Sequence, residues 1–444
     1  MLQRRDALKI IGFGALAGSL ANADGAQKNI EQNSDIKAKI AILGAGLGGI
    51  SLSAKLRKEL PNAQIMLFDK KEIFHYEPGF TLIGIGFYQK SDVEFAKADY
   101  IPDGVKWVKQ NVKELTPEQN TLILDNNESF SYDYLIIASG VEYDFSAIDG
   151  LSEDDINDES VKISTIYTLN GAIKTNKLME NFANNGGKAV FAEPRTPMKC
   201  SGANKKMFFM SHSRAKNAGN LDKCEVELFC GGASLFADPT YAGIMQAKAS
   251  SNKMPFNLRH QIVAIDKAKS TATFEFWTNY KENGEQKTAK EYKEVKFDWL
   301  HFTPTQKASE IFTKAGLSTS KLGFVDVDKQ TLQSTKYKNI FAIGDVINTA
   351  MGKTGASIRK MYPLLTQNII SQIKGESLSA KYDGYTACPF LSEYGKAIMV
   401  EFNWQGTASS MPCFGATRES YMNWLIKLYG FKPMVMYGML AGRV

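Results

Sequence analysis

Residues 39–69 read KIAILGAGLGGISLSAKLRKELPNAQIMLFD, and the fold is decided here. An apolar run at 40–43 has the look of a buried parallel strand. GAGLGG follows at once and places Gly44, Gly46 and Gly49 in the G-x-G-x-x-G spacing. Gly44 permits a tight turn, Gly46 lets a pyrophosphate approach the main chain, and Gly49 lets a helix pack closely on the strand. The helix start then offers free N–H groups and a partial positive charge to the phosphates. A second apolar strand at 65–68 ends in Asp69, placed to accept a hydrogen bond from a ribose hydroxyl. An accidental glycine turn would not need an acid there. The stretch is therefore read as a dinucleotide-binding βαβ unit.

The rest of the chain must house that unit. With 444 residues there is room for two or three domains. A 44% apolar and 23% charged composition is that of a globular protein. The formal charge of +6 is mild and dispersed, which argues against a nucleic-acid partner. Five cysteines, Cys200, Cys224, Cys230, Cys388 and Cys413, are too few for a disulfide scaffold. They form no C-x-x-C pair, and the four histidines lie far apart, so no metal site is expected. Upstream, Arg4 and Arg5 precede an apolar run at 10–21 and an A-x-A-like site at 21–23. This resembles a twin-arginine export signal, with a polar linker over 26–37.

Downstream, KKEIFHYEPGFTLIGIGF at 70–87 puts Lys70 and His75 on a loop bordering the nucleotide site. His75 is read as a hydrogen-bonded residue there rather than a proton carrier. Residues 105–124 alternate like antiparallel strands. YDYLIIASG at 132–140 is a buried strand ending in Ser139 and Gly140. From 160 to 300 the pattern restarts, with strands at 188–192 and 225–230 and a helix at 237–250. Its first strand runs into EPRTPMKCSGANKK, which has no glycine fingerprint and carries Cys200. A nicotinamide pyrophosphate would meet Pro194, Pro197 and side chains, which argues against NAD(P)H as electron donor. DWLHFTP at 298–304 is expected to bring the chain back. NIFAIGDV at 339–346 is a strand ending in Gly344 and Asp345, an acid that can reach a flavin's ribityl hydroxyls. Lys353, Thr354 and Gly355 then open a helix whose positive end suits a reduced flavin.

YDGYTACPFL at 382–391 carries Cys388 beside a proline. Cys224 and Cys230, in or next to a strand, read as core residues, and Cys413 has no assigned role. In the tail, Tyr421, Trp424, Leu425 and Leu428 recur at helical spacing near Lys427 and Lys432. Such a face suits either the core or a membrane interface. No stretch is long and apolar enough to span a bilayer.

Taken together, these motifs resemble the sulfide:quinone oxidoreductases, in the branch that includes the mitochondrial enzyme. The resemblance covers nearly everything after Lys39. It rests on GAGLGG, HYEPG, PMKCSGANKK, LHFTP, FVDVDKQTLQ, FAIGDV, KTGAS and YDGYTACPFL. It implies an α/β fold with two Rossmann-like domains, the first discontinuous with the second inserted, and an amphipathic C-terminal region. The divisions are 1–23 for the signal, 37–159 and 299–385 for the FAD domain, 160–298 for the inserted domain and 386–444 for the tail region. It implies oxidation of sulfide by FAD, with membrane quinone as final acceptor and a small sulfur acceptor that clears the product. Cys200 and Cys388 match the family's redox pair, which closes through sulfur; by that match Cys388 keeps the sulfane sulfur and Cys200 leaves as thiolate. Lys199, Lys205 and Lys206 either favour that thiolate or form a solvated basic loop. The flavin contacts implied are Gly44, Gly46, Gly49, Asp69, Lys70, His75, Ser139, Gly140, Gly344, Asp345, Lys353 and Thr354. Phe302, Phe390 and the aromatic tail are candidates for the quinone pocket.

Two departures refine the resemblance. ASGVEYDF at 138–145 lacks the third cysteine of some branches, and no cysteine near His75 offers a covalent flavin link. FAD is therefore expected to be non-covalent. The export signal implies a periplasmic enzyme, peripheral on the membrane's outer face, and a homo-oligomer is compatible with the sequence. Three alternatives stay open: the flavin subunit of a flavocytochrome c sulfide dehydrogenase, a type II NADH dehydrogenase, and a non-catalytic sulfur-binding protein.

Overall fold

The computed structural model describes residues 33–409 and 417–444. The expected export signal, most of the expected linker and Cys413 lie outside the described residues.

The expected glycine unit builds a five-stranded parallel sheet. Its order is Ile340–Ala342, Tyr134–Ile137, Lys39–Leu43, Gln64–Phe68 and Val105–Val108. Strands buried on both faces need continuous apolar runs, and Ile40, Ala41, Ile42, Leu135, Ile136 and Ile137 are fully buried. Each large side chain so buried contributes about 1.5–3 kcal/mol. The helices Leu47–Glu59 and Gly355–Ile373 pack against each other, bringing both cofactor motifs to one place.

A second parallel sheet runs Ile163–Ser164, Trp299–Phe302, Gly187–Glu193, Cys224–Cys230 and Phe256–Leu258. It has its own core, with Phe229 and Phe274 stacked at 3.9 Å between centroids. The helix Ala203–Asn217 leaves this sheet and packs on the strand Thr386–Glu393. That strand pairs antiparallel with Lys396–Asn403, Cys388 opposite Val400. The final helical stretch comprises Tyr421–Leu425, Ile426–Gly430, Phe431–Pro433 and Met434–Met439, the second and fourth wound as π-helix.

Two expectations need correction. Val105–Val108 is the edge of the first parallel sheet; only Val112–Thr116 and Thr121–Leu124 pair antiparallel. An edge strand with one wet face alternates just as a hairpin strand does. Second, 298–304 does not simply return the chain. Trp299–Phe302 lies between two strands of the second sheet, so the inserted unit extends past the boundary expected at 298. The long hairpin Thr271–Glu282 with Glu285–Lys296 adds to the expected elements. Its signal was Asn283-Gly284, both at positive φ (53° and 82°), the preferred pair for a two-residue hairpin turn.

Candidate active site

A cavity of about 550 Å³ opens at the end of the first sheet and runs to the tail helix. Its floor is the glycine turn. Gly44 has φ +98°, and a Cβ there would lie 2.6 Å from Ala138 O. A Cβ on Gly49 would sit 1.9 Å from Gly44 O, so the helix can approach only without one. Gly46 has nothing within 4 Å of its missing Cβ, which leaves open main chain facing the cavity. Asp69 Oδ2 accepts from Ala45 N at 2.9 Å and from Lys97 Nζ at 2.8 Å, and Oδ1 accepts from Lys71 N at 2.8 Å. A carboxylate has about four acceptor positions, so one remains for a ribose hydroxyl. Lys97, absent from the sequence reading, is the buried counter-charge that fixes this acid.

The opposite wall is Gly344, Asp345, Lys353 and Thr354. Asp345 Oδ1 is buried without a hydrogen-bond partner. Burial raises this carboxyl above its usual range, against the pull of Lys199 and Lys353. Lys353 Nζ donates to Asp345 O and Ile347 O, both at 2.6 Å, and burial lowers its ammonium to about 8. Thr354 caps the helix Gly355–Ile373, its Oγ1 accepting from Ser357 N at 3.2 Å. Ser139, Gly140 and His75 also line the cavity. His75 is hydrogen-bonded to Glu94 at 3.2 Å. Lys70 does not line it; the neighbouring Lys71 does.

At the inner end Cys200 and Cys388 meet, Sγ to Sγ 3.4 Å. They lie 188 residues apart in the chain. Cys200 takes the left-handed conformation, φ 47°, uncommon outside glycine. Its N–H donates to Lys353 O at 2.9 Å, and the Tyr167 hydroxyl donates to Lys199 O at 3.0 Å. The cysteine loop is thus tied directly to the cofactor wall. Lys206 Nζ lies 3.7 Å from Cys200 Sγ, and Lys427 enters from the tail with Nζ donating to Pro78 O at 2.8 Å. The hydrogen bond between the two sulfurs, reinforced by both ammoniums against burial, holds the Cys388 thiol well below its usual value. The same bond and burial push Cys200 up. Lys206 and Lys427 place positive charge beside the pair. Burial, then repulsion from Lys206, brings Lys427 down to about 7.

The solvated-loop reading of the three lysines does not hold. Lys205 and Lys206 are buried, Lys205 pairs with Glu193, and Lys199 pairs with Glu77 at 2.7 Å. Phe302 and Phe390 are also corrected as pocket candidates. Phe302 belongs to the second core, and Phe390 packs edge-on against Phe209. The tail instead contributes Lys427, Phe431, Met434, Val435 and Met439 to the cavity. Nothing local in the sequence marks Lys427; only the fold brings the tail here. Cys224 donates to Phe182 O at 3.3 Å and Cys230 is buried, away from the pair's cavity lining.

Residues 38–187 match the family model described as pyridine nucleotide-disulphide oxidoreductase. The chain is 32% identical over 406 residues to the mitochondrial sulfide:quinone oxidoreductase of Dictyostelium discoideum, covering 91% of this chain and 86% of the relative. The chain belongs to the sulfide:quinone oxidoreductase family. The mouse mitochondrial member is 30% identical over 389 residues, 88% and 83% of the two chains. The solved sulfide:quinone oxidoreductase of Aquifex aeolicus shares the fold, with a TM-score of 0.73 at 21% identity over 91% and 92% of the chains. This family member is an FAD-dependent oxidoreductase. Its cavity fits FAD: open glycine backbone for the pyrophosphate, Asp69 for the ribose, and an unpartnered buried Asp345 oxygen for a ribityl hydroxyl. The cytochrome-linked, NADH-linked and non-catalytic alternatives are not favoured by these relatives.

Proposed function

We propose that this chain oxidises sulfide at Cys200 and Cys388 and delivers two electrons to membrane quinone. One observation carries the reading: the two sulfurs, 3.4 Å apart, line the same cavity as the glycine turn and Asp345. A direct S–S bond is about 2.05 Å, so the two thiols stand within a small side-chain movement of closing one. With the oxidised pair closed as a direct disulfide, hydrosulfide attacks Cys388 Sγ, the S–S bond breaks with Cys200 Sγ leaving as thiolate, and Cys388 keeps the added sulfur as a persulfide. Lys206 and Lys427 supply positive charge for the incoming anion and for the leaving thiolate. A small nucleophilic acceptor then takes the sulfane sulfur from Cys388. Bound FAD supplies the two-electron carrier between the cysteine pair and quinone. Asp69, Asp345 and the capped helix at Thr354 position it without a covalent bond, since no cysteine stands at 75–79.

Quinone is assigned to the tail side, where Phe431, Met434, Val435 and Met439 give an apolar wall. On the outer side of the same stretch Tyr421, Met422, Tyr429 and Tyr437 are exposed, up to 72% for Tyr437. Aromatic side chains with Lys432 suit the headgroup layer of a membrane. Among the described residues no helix is long and apolar enough to cross one. Arg4, Arg5 and the apolar run after them support a periplasmic, peripheral location, although the named relatives in Dictyostelium and mouse are mitochondrial.

Anaerobic titration of the FAD-loaded protein with sulfide tests the reading. Sulfide should bleach the oxidised flavin spectrum, and a soluble quinone should restore it. Bleaching by NADH, or reoxidation by a cytochrome without quinone, would turn the assignment to one of the alternatives.

A further inference from the structure

The helix that walls the cavity from the tail side is pinned at both ends. At its start Ser420 Oγ accepts from Asn423 N at 3.0 Å. Ser420 and Ala397 exchange two backbone bonds of 3.0 and 3.2 Å, which ties this end to the hairpin that carries Cys388. At the far end the Arg443 N–H donates to Gly438 O at 2.9 Å and the Gly442 N–H to Met439 O at 2.8 Å. With Gly442 at φ +61°, this is a Schellman ending with glycine in its left-handed position.

Gly442 does more than end the helix. It rests on the helix Leu47–Glu59, which begins in the glycine turn. A Cβ on Gly442 would lie 2.8 Å from Lys55 N, 3.0 Å from Ala54 C and 3.1 Å from Lys55 Cα, all main chain. None of those atoms belongs to a flexible side chain that can swing aside. Lys58 Nζ closes the contact, donating to Ala441 O at 2.6 Å and Gly442 O at 3.4 Å.

We propose that Gly442 is a positioning residue: its seat on the 54–55 main chain sets the depth of the quinone-facing wall. The proposal rests on the quinone reading above. Distances along the helix say which residues it controls. Met439, Val435 and Met434 stand within eight residues of Gly442, whereas Lys427 stands 15 residues before it. Lifting the far end therefore displaces Met439, Val435 and Met434 most. Lys427 and the cysteine pair lie nearer the Ser420 pin and move least.

The test compares Gly442→Ala and the milder Lys58→Met with wild type, all FAD-loaded. Gly219→Ala is the control, at φ +70° with nothing within 4 Å of the added Cβ. Rapid mixing measures flavin bleaching by sulfide and, separately, reoxidation by a short-chain quinone. Amide hydrogen exchange over 431–440 reads the wall directly, in the presence and absence of FAD. The seat predicts unchanged bleaching, faster exchange over 431–440, and a KM for quinone raised roughly tenfold or more in Gly442→Ala. Lys58→Met should move the same quantities by less, and Gly219→Ala none of them. Unchanged quinone KM in a Gly442→Ala protein with loosened exchange overturns the proposal, as does an equal loss in both half-reactions. If Gly442→Ala does not fold, Lys58→Met with wild-type exchange and wild-type KM overturns it too. Failure of the wild type to pass electrons from sulfide to quinone sinks the underlying reading instead.

Discussion

At the residue scale the chemistry depends on where protons sit. Lys427 is neutral above about 7, and protonation below that supports the thiolate of the pair. The rate of flavin bleaching by sulfide should therefore lose a component as pH rises through about 7. Lys427→Met should be slower below that pH and lack the component, as a pH series of rapid-mixing traces would reveal. A wild-type profile shared by the variant contradicts the role. His301 offers a stability prediction with a definite sign. It is fully buried beside Asn204, and burial lowers its imidazole to about 3 from 6.5. Between those values the unfolded chain binds the extra proton and the folded chain does not. Stability should fall as pH drops from 6.5 towards 3, by about 1.4 kcal/mol per unit from this one group. His301→Gln should flatten that part of a melting-temperature profile; an unaltered slope would exclude His301 as its source.

At the element scale, the legible parts were those whose signal is local. The strand, glycine turn and acid at 39–69 fix one another within a single βαβ unit, so residues 40–43 and 65–68 fall in strands as expected. The two cysteine motifs were legible by resemblance, but their meeting depends on the helix Ala203–Asn217 packing on Thr386–Glu393. Periodicity alone could not tell the edge strand Val105–Val108 from a hairpin, because both show one wet face. Nor could it tell that Lys206 is buried or that Lys427 would join it. Both depend on contacts across hundreds of residues, and their surroundings in sequence look like any basic surface. Gly49 belongs to this scale too. Its added Cβ would press on Gly44 O, 1.9 Å away, and separate the helix from the turn. Gly49→Ala should purify with little FAD; full flavin occupancy would mean that the turn tolerates the shift.

At the scale of the whole molecule, the loops at the end of the first sheet, the cysteine loop with the helix Ala203–Asn217, the hairpin of Cys388 and the tail helix each supply one wall of a single cavity. The exposed face of the tail should bring that cavity to a membrane. Replacing Tyr421, Tyr429 and Tyr437 together with serine should reduce sedimentation with quinone-containing vesicles, while sulfide still bleaches the flavin in solution. Undiminished sedimentation would move the membrane contact elsewhere on the surface. The central claim, that sulfur passes through Cys388 while Cys200 departs, is tested most directly by weighing the peptides. One equivalent of sulfide is added without oxygen or acceptor, followed by rapid alkylation, digestion and mass spectrometry. The account predicts one additional sulfur atom on the peptide that contains Cys388, and none on it after Cys388→Ser. A reduced flavin with neither cysteine carrying added sulfur would contradict it.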